Sequence, residues 1–334
     1  MSLPLVTVLM PVFNSEKHLK EAIESILNQS YTNFIFLIIN DGSTDLSEAI
    51  IRSYQDERIR YVKNTENIQL IATLNKGIDL INTKYIARMD ADDIAHPERL
   101  EKQISFLEMN PDCIVCGSYY QFIGQSEEII HLPILNDQIK FQLLYFNSFC
   151  HPSTVIRTSV FQENNIKFNK EYKHAEDYFL WTELALKGEF YNIPEVLLYY
   201  RKHDSQISQI FQNHQQDIEL TIQANYLNKL TGLKLENQNI LATLQFLHFG
   251  NKEISSSKLL EAFTFLFDIN CSLFIFEDKF LRDRLLSTLK NLIFSMESFT
   301  IKDLIKIRRA KFYTNDFLTT KQKLRLLKLI LFKK

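Results

Sequence analysis

Short apolar runs and helical repeats alternate over the first 95 residues of the chain. The runs are rich in β-branched and aromatic residues, which is typical of strands. They cover Val6 to Met10, Phe34 to Ile39, Ile59 to Val62 and Tyr85 to Met89. From Leu19 to Leu27 and from Leu70 to Ile81, apolar residues recur at intervals of three and four, which predicts helices. This βαβα order indicates an α/β fold with a mostly parallel sheet and helices on both faces.

After residue 95 a helix and a strand follow; the pattern becomes mixed from about residue 137 and is mostly helical beyond residue 205. Pro97 suits the first turn of a helix, and Cys113 to Tyr119 is typical of a further strand. The elements predicted next are a helix over 137–146, a strand from Ser153 to Arg157, a helix from Glu176 to Lys187 and a strand from Val196 to His203. We place a domain boundary near residue 210, between a domain of residues 1–210 and a helical region of residues 211–334.

The composition is that of a globular protein with a large core. Of the 334 residues 46% are hydrophobic, and Gly and Pro number only 7 each, which excludes collagen-like and low-complexity chains. No apolar run approaches the ~18–20 residues of a membrane-spanning helix. We recognise no signal peptide, so the cysteines indicate a reducing cytosol rather than a disulfide framework.

Cys113 and Cys116 form a single Cys-x-x-Cys pair inside a predicted strand. A zinc ribbon needs a second pair at similar spacing, which the sequence lacks. Residues three apart on a regular strand point to opposite faces, so we expect that these thiols do not share a metal ion.

Three carboxylates fall within four residues, at Asp90, Asp92 and Asp93, directly after an apolar run. A strand that ends in clustered acids directs them into the crevice beyond its carboxyl end, where ligands bind in open α/β sheets. Closely packed carboxylates repel each other, and a hard divalent cation such as Mg²⁺ or Mn²⁺ relieves that repulsion. The alternative is a solvated acidic turn, because Asp is common in turns.

Five motifs, taken in order, resemble those of the inverting glycosyltransferases of family 2. The motifs are Val8 to Asn14, Asn40 to Asp45, Arg88 to Asp93, Glu176 to Tyr178 and Tyr200 to His203. The similarity extends from Pro4 to about His203. It implies a GT-A fold, which is an α/β, Rossmann-like, mostly parallel mixed sheet with helices on both faces. The helical C-terminal region carries no such match.

The resemblance implies a nucleotide site at the ends of the first and second strands. Pro11, Phe13 and Asn14 would contact the nucleoside through main-chain and side-chain groups. The Asp41 carboxylate would accept a hydrogen bond from uracil N3–H. An Asx turn into Gly42 is the structural alternative for Asp41, and it is compatible with that role.

The resemblance also implies a metal site, because Asp90 and Asp92 match the family's Asp-x-Asp motif. Asp92 and Asp90 would bind Mn²⁺ or Mg²⁺, with Asp90 also serving the nucleotide and Asp93 as the alternative ligand. Arg88 would pair with these acids or with the donor nucleotide. His203 would ligate the metal or donate to a phosphate oxygen.

On the acceptor side, the resemblance makes Asp177 the catalytic base that removes a proton from an acceptor hydroxyl. The structural alternative is an acidic helix N-terminus that the helix dipole favours. Glu176 would orient the site, Arg201 would face the diphosphate, and His151 would line the acceptor side.

One position departs from the family's pattern. Some relatives carry an arginine near residue 74 that meets the diphosphate, whereas this chain has Leu74. The positive charge would then come from Lys76, Arg88 or Arg201.

The last 34 residues are strongly basic: residues 301–334 hold eleven Lys or Arg and two Asp, or +9, so the remainder of a chain of net charge −2 carries −11. A helix over 321–334 would be amphipathic, and Arg308, Arg309 and Lys311 would extend its basic surface. Such a surface suits an anionic membrane. Docking on the protein's own acidic body is the alternative, and no motif supports nucleic acid.

We therefore expect a metal-dependent, inverting glycosyltransferase whose donor is a nucleotide-diphosphate sugar, and specifically a UDP-sugar. By resemblance, the acceptor is a saccharide or lipid-linked saccharide of surface polysaccharide synthesis. The expected location is the cytoplasm, peripheral on the inner face of the cytoplasmic membrane. A nucleotidyltransferase that makes sugar nucleotides is one alternative, although it would favour a Gly- and Arg-rich first loop. A non-catalytic nucleotide-sugar binding protein is the other, although it would not need Asp177.

Overall fold

The computed structural model describes residues 3–202, 212–232, 256–295, 301–314, 317–319 and 322. The chain divides into two compact units, one of residues 1–143 and 147–222 and the other of residues 144–146 and 223–334. The boundary expected near residue 210 lies outside the described residues, so it stays a prediction.

The first unit alternates strands and helices along its N-terminal half. Its strands are β1 (Val6–Val12), β2 (Phe34–Asn40), β3 (Ile59–Lys63), β4 (Tyr85–Arg88), β5 (Ile94–Ala95), β6 (Cys113–Gly124), β7 (Ile129–Ile130), β8 (Val155–Arg157) and β9 (Glu189–Lys202). Its helices are α1 (Leu19–Leu27), α2 (Ser47–Ser53), α3 (Leu70–Leu80), α4 (Arg99–Met109), α5 (Asn136–Gln142), α6 (Ser159–Asn164) and α7 (Glu176–Leu184).

The strands of the described residues form one mixed, nine-stranded sheet with the order β3-β2-β1-β4-β8-β6-β9-β5, and β7 pairs with β6. Strands β3, β2, β1 and β4 run parallel, β8 is antiparallel to both of its neighbours, and β6 and β9 are parallel again. The α/β prediction is therefore confirmed. Because β1, β2 and β4 are parallel, the residues that follow them meet at one edge of the sheet.

Alternating apolar residues of the parallel strands pack under the helices. On one face, Val8 and Met10 of β1 share a buried cluster with Ala22 and Ile23 of α1 and Leu100 of α4. On the other face, α3 approaches β1 so closely that a Cβ on Gly77 would lie 2.5 Å from Leu9 Cδ1. These contacts bury both faces of the parallel strands, which explains their nearly continuous apolar sequence.

Several element boundaries differ from those predicted. The strand predicted to end at Tyr119 continues to Gly124, and the strand predicted to begin at Val196 already begins at Glu189. These strands pair along most of their length. Helix α4 begins at Arg99 rather than at Pro97, and residues 94–95 form the short strand β5, which the sequence did not indicate.

The expectation that the Cys113 and Cys116 side chains face opposite sides of the sheet is wrong. The pairing of β6 with β9 shifts register between Cys113 and Val115, and this irregularity brings both thiols into the same buried cluster. Burial raises the pKa of Cys113 to about 12 and that of Cys116 well above its usual value. Both are therefore protonated packing residues near neutral pH.

The C-terminal region is helical where the structure describes it, as predicted. It contains α8 (Gln212–Thr231), α9 (Ser256–Leu273), α10 (Asp278–Ser295) and α11 (Ile301–Arg309). Within the described residues, no helix is both long and apolar enough to cross a membrane. Arg308, Arg309 and Lys311 are exposed, and Lys311 Nζ lies 2.7 Å from Asp268 Oδ1. Apart from Gln322, the predicted tail helix over 321–334 lies outside the described residues.

Candidate active site

The three clustered acids lie on a loop between β4 and β5, at the carboxyl end of β4. Asp93 is only 1% exposed. Its Oδ1 accepts a hydrogen bond from the Arg201 backbone N–H at 2.8 Å, whereas its buried Oδ2 has no hydrogen-bond partner among the described residues. Asp90 and Asp92 remain partly exposed on the same loop. We call residues 90–93 the acid loop.

Two buried arginines contact the chain at the start of the acid loop and just before it. The Arg88 guanidinium donates from Nη2 to Asp90 Oδ1 at 2.6 Å and from Nη1 to the Met89 carbonyl, while its Nε has no partner among the described residues. Arg99 is fully buried and donates to the Arg88 carbonyl at 2.7 Å. Burial lowers the pKa of Arg99 to about 10, so it stays charged at neutral pH.

Arg201 holds the loop from β9. Its Nε donates to the Asp92 carbonyl at 2.8 Å, and its Nη2 lies 2.5 Å from Glu21 Oε2 on α1. In this structure Arg201 is therefore bound to protein groups beside the acids. Its predicted role toward a diphosphate stays a prediction, as does the metal role of His203, which lies outside the described residues.

Burial and neighbouring carboxylates raise the pKa of two acids of the loop. Desolvation, and then the charge of Asp92, raise the pKa of Asp90 in spite of Arg88. Burial, Asp90 and Asp92 raise the pKa of Asp93 well above its usual value. A group of negative charges that is costly to ionise is one that a cation stabilises. Within the described part of the chain, however, no three His, Cys, Asp or Glu side chains are arranged to hold a metal ion.

A second acidic pair begins helix α7. Asp177 Oδ2 accepts from Asn147 Nδ2 at 2.9 Å, and Oδ1 accepts from the Tyr178 backbone N–H at 2.7 Å. Burial raises the pKa of Asp177 above its usual value. The neighbouring Glu176 is 9% exposed, and burial, followed by the charge of Asp177, raises its pKa to about 7.

The acid loop and Asp177 both lie within electrostatic range of the buried Cys150. The charges of Asp93, Asp90 and Asp177 all add to burial in raising the pKa of the Cys150 thiol. Arg88 lies within electrostatic range of Glu176 as well as of the acid loop, because its charge acts on the pKa of each. The fold thus brings together acids that are more than 80 positions apart in the sequence.

His151 begins a short 3-10 helix beside these acids, and its ring contacts Phe168 at 5.3 Å and Trp181 at 5.8 Å between centroids. Burial and the charge of Arg88 lower the pKa of His151 well below its usual value, so the ring is neutral. Its Nε2 has no partner among the described residues. Asn75 fixes the Phe168 backbone, because the amide donates to the carbonyl and accepts from the N–H, at 2.8 and 3.0 Å.

At the other end of the crevice, Asp41 follows β2 and is 3% exposed. Its Oδ1 accepts two hydrogen bonds, from Asn64 Nδ2 at 2.7 Å and from the Ile68 N–H at 2.9 Å. The chain turns at Gly42, but the side-chain acceptor of the turn is Asn40 and not Asp41, because Asn40 Oδ1 accepts from the Ser43 N–H at 2.9 Å. Gly42 has φ +69°, and a Cβ there would lie 2.6 Å from the Glu66 carbonyl carbon, so no other residue fits without strain.

Asn14 ties the loop after β1 to the loop after β2. Its backbone N–H donates to Ser43 Oγ at 3.1 Å, and its Oδ1 accepts from the Thr44 N–H at 2.9 Å. Phe13 is 45% exposed, whereas Pro11 is buried within β1. Asn14 is exposed as well, so of the three residues predicted to contact a nucleoside, Phe13 and Asn14 have surface to offer.

The sequence did not reveal Asn64, Asn147 or Arg99 as parts of the site. Asn64 and Asn147 follow no motif, and their partners are 23 and 30 positions away. Only the polar character of Arg99 at a position facing the core of an amphipathic helix could have drawn attention to it.

These features define the class of the protein: a GT-A fold with acids after β4 and at the start of α7. The sequence model described as Glycosyl transferase family 2 matches residues 7–164. A glycosyltransferase of Haemophilus influenzae is 34% identical over 91% of this chain and 95% of its own length, and one of Methanocaldococcus jannaschii is 36% identical over 63% and 76%. Both relatives are themselves uncharacterized.

The chain therefore belongs to glycosyltransferase family 2, and it is a glycosyltransferase. Among solved structures, TarS of S. aureus, residues 1–349, in complex with UDP-GlcNAc, superposes with a TM-score of 0.61 over 80% of this chain and 81% of its own, at 17% identity. This similarity confirms the GT-A fold. Membership of the family also sets aside the nucleotidyltransferase and the non-catalytic alternatives.

Proposed function

We propose that this glycosyltransferase transfers a sugar from a UDP-sugar to a hydroxyl of a saccharide, with inversion at the anomeric carbon. The observation that carries the proposal is that residues 147–150 contact both acidic sites: Asn147 Nδ2 donates to Asp177 Oδ2 at 2.9 Å, and Cys150 shares a buried cluster with Ala91 of the acid loop. A leaving diphosphate at the acid loop and an attacking hydroxyl at Asp177 would then lie in one crevice. TarS, which has the same fold, was crystallised with UDP-GlcNAc, and this supports the choice of donor.

In this proposal the nucleotide lies along the ends of β1, β2 and β4. The Asp41 carboxylate has Oδ1 occupied by two donors, and its Oδ2 accepts the uracil N3–H. Phe13 contacts the nucleoside with its exposed ring, Pro11 and Asn14 shape the loop, and Asp90 contacts the ribose.

The donor set of the acid loop suits a hard divalent cation, Mn²⁺ or Mg²⁺. Asp92 and Asp90 would hold it, with His203 as a further ligand, and beside them lies the buried Asp93 Oδ2, which has no hydrogen-bond partner among the described residues. Such an ion uses one or two carboxylates together with substrate phosphates, so the protein need not supply three ligands. When bound, it supplies positive charge against the leaving diphosphate.

Asp177 acts as the catalytic base. Its carboxylate takes the proton of the acceptor hydroxyl while the acceptor oxygen bonds to the anomeric carbon and the bond from that carbon to the diphosphate oxygen breaks. Asn147 fixes the orientation of Oδ2, and the raised pKa of Asp177 makes it a stronger base than a solvated carboxylate. Glu176 orients the site, Arg201 provides positive charge on the diphosphate side, and His151 lines the acceptor side.

The acceptor in this proposal is a glycan or a lipid-linked glycan of surface polysaccharide synthesis. The basic residues of the C-terminal region, including Arg308 and Arg309, which are exposed, suit a peripheral position on an anionic membrane. A cytoplasmic enzyme would meet a lipid-linked acceptor there.

The test needs no knowledge of the acceptor. The protein is incubated with Mn²⁺ and a panel of UDP-, GDP- and other nucleotide sugars, and release of the nucleoside diphosphate is followed. The proposal expects slow hydrolysis of a UDP-sugar and its loss on removal of the metal by a chelator. Hydrolysis of GDP-sugars only, or hydrolysis unaffected by the chelator, would refute the donor or the metal part respectively.

A further inference from the structure

The base-reading carboxylate of the proposed site has a buried support. Lys76 Nζ on α3 donates to Asn64 Oδ1 at 2.6 Å, and Asn64 Nδ2 donates to Asp41 Oδ1 at 2.7 Å and to Thr73 Oγ1 at 3.2 Å. Asp41, Asn64 and Thr73 are all buried. The three residues Lys76, Asn64 and Asp41 form a continuous hydrogen-bonded relay, which we call the lysine relay.

The relay fixes the direction of each hydrogen bond. A lysine ammonium can only donate, so it holds the oxygen of the Asn64 amide toward itself. The amide nitrogen must then face Asp41, and both of its hydrogens are used. Without the lysine, Asn64 Oδ1 would lose its charged donor, and the amide would be held only by its hydrogen bonds to Asp41 and Thr73.

We propose that Lys76 is a positioning residue for nucleobase selection, acting through Asn64 on Asp41; this rests on the proposed role of Asp41. With Oδ1 occupied by Asn64 Nδ2 and by the Ile68 N–H, Asp41 presents Oδ2 as an acceptor. An acceptor suits uracil, whose N3 carries a hydrogen, and rejects cytosine, whose N3 is itself an acceptor. Lys76, which could have compensated for the missing arginine at residue 74, is thus assigned to the base rather than to the diphosphate.

The two roles differ in what they change. A lysine that contacts the diphosphate strengthens the binding of UDP and of CDP by the same factor, because the two diphosphates are identical. A lysine that orients the base-reading carboxylate changes the ratio of the two affinities. The ratio of CDP to UDP dissociation constants therefore separates the relay from simple electrostatic attraction.

The experiment is calorimetric binding of UDP and CDP with Mn²⁺ to the wild type and to four variants, each first checked by thermal melting. Lys76→Met removes the hydrogen-bond donor to Asn64, and Lys76→Arg retains a donor. Asp41→Asn removes the carboxylate that is proposed to contact the base. Lys167→Met is the matched control, because Lys167 is a partly exposed lysine that pairs with Asp79 at 2.7 Å, outside the relay. We expect Lys76→Met to reduce the preference for UDP about tenfold, and Lys76→Arg and Lys167→Met to keep it.

The outcomes distinguish the relay from the function on which it rests. If Asp41→Asn abolishes the preference for UDP while Lys76→Met weakens the binding of UDP and of CDP by the same factor, the relay is refuted. The proposed base site then stands. If Asp41→Asn binds UDP as the wild type does, the proposed base site itself is wrong, and the relay with it.

Discussion

Glu176 offers a prediction that can be worked out from its burial. Its pKa is raised to about 7 in the folded protein, first by burial and then by Asp177, from the usual 4.5. A carboxyl with a higher pKa in the folded than in the unfolded chain lowers stability wherever the unfolded chain is ionised. The penalty is absent below pH 4.5, grows between pH 4.5 and 7, and is complete above pH 7 at about 3 kcal/mol.

Glu176→Gln removes this pH-dependent penalty and leaves a side chain of the same size. The constant effect of the substitution cancels when the variant is compared with the wild type at two pH values. Between pH 5 and pH 8, the free energy of unfolding of Glu176→Gln relative to the wild type should rise by about 2.5 kcal/mol. Urea unfolding at both pH values measures it.

Glu163→Gln serves as the control, because it makes the same substitution at an exposed position of α6. If Glu176→Gln shifts the free energy of unfolding by the same amount at pH 5 and pH 8, then Glu176 is ionised normally in the folded protein. The argument that its environment is desolvated would then be wrong.

Three further predictions concern the proposed catalytic base, the metal site and the membrane contact. Asp177→Asn should lower the rate of transfer about 10²- to 10⁴-fold and leave UDP affinity unchanged in calorimetry, with Asp112→Asn at an exposed acid as the control; retained turnover would exclude Asp177 as the base. Asp92→Ala should weaken UDP binding in the presence of Mn²⁺ but not in its absence, and an equal affinity with the metal would contradict the metal site. Deletion of residues 321–334 should release the protein from anionic vesicles in sedimentation, whereas unaltered binding would favour a tail that docks on the protein.

The parallel half of the sheet and the acids at its edge could be predicted from the sequence. Strands such as β1 and β2 are buried on both faces, so their apolar runs are long enough to detect. The acids follow directly after β4, and the direction of a parallel strand fixes where its end lies. Local patterns therefore carried both the fold class and the place of the acid loop.

What the sequence could not reveal depends on contacts between distant residues. Strand β5 has two residues and forms because Ile94 and Ala95 pair with β9, about 100 positions later. Nothing near Arg201 indicates that it would bind the Asp92 carbonyl. The lysine relay is similar, because Lys76 and Asn64 come together only when α3 packs beside the end of β3. Propensity and periodicity carry no information about such tertiary contacts.

The acid loop is held by Arg201 of β9, which donates to the Asp92 carbonyl and to the Asp93 carboxylate, while Arg99 of α4 donates to the Arg88 carbonyl just before the loop. Its backbone is therefore arranged when the chain folds, and an arriving donor has little loop entropy to remove. Binding of the donor should then leave the loop backbone nearly unchanged, and only a small part of the binding enthalpy should go into rearranging the polypeptide.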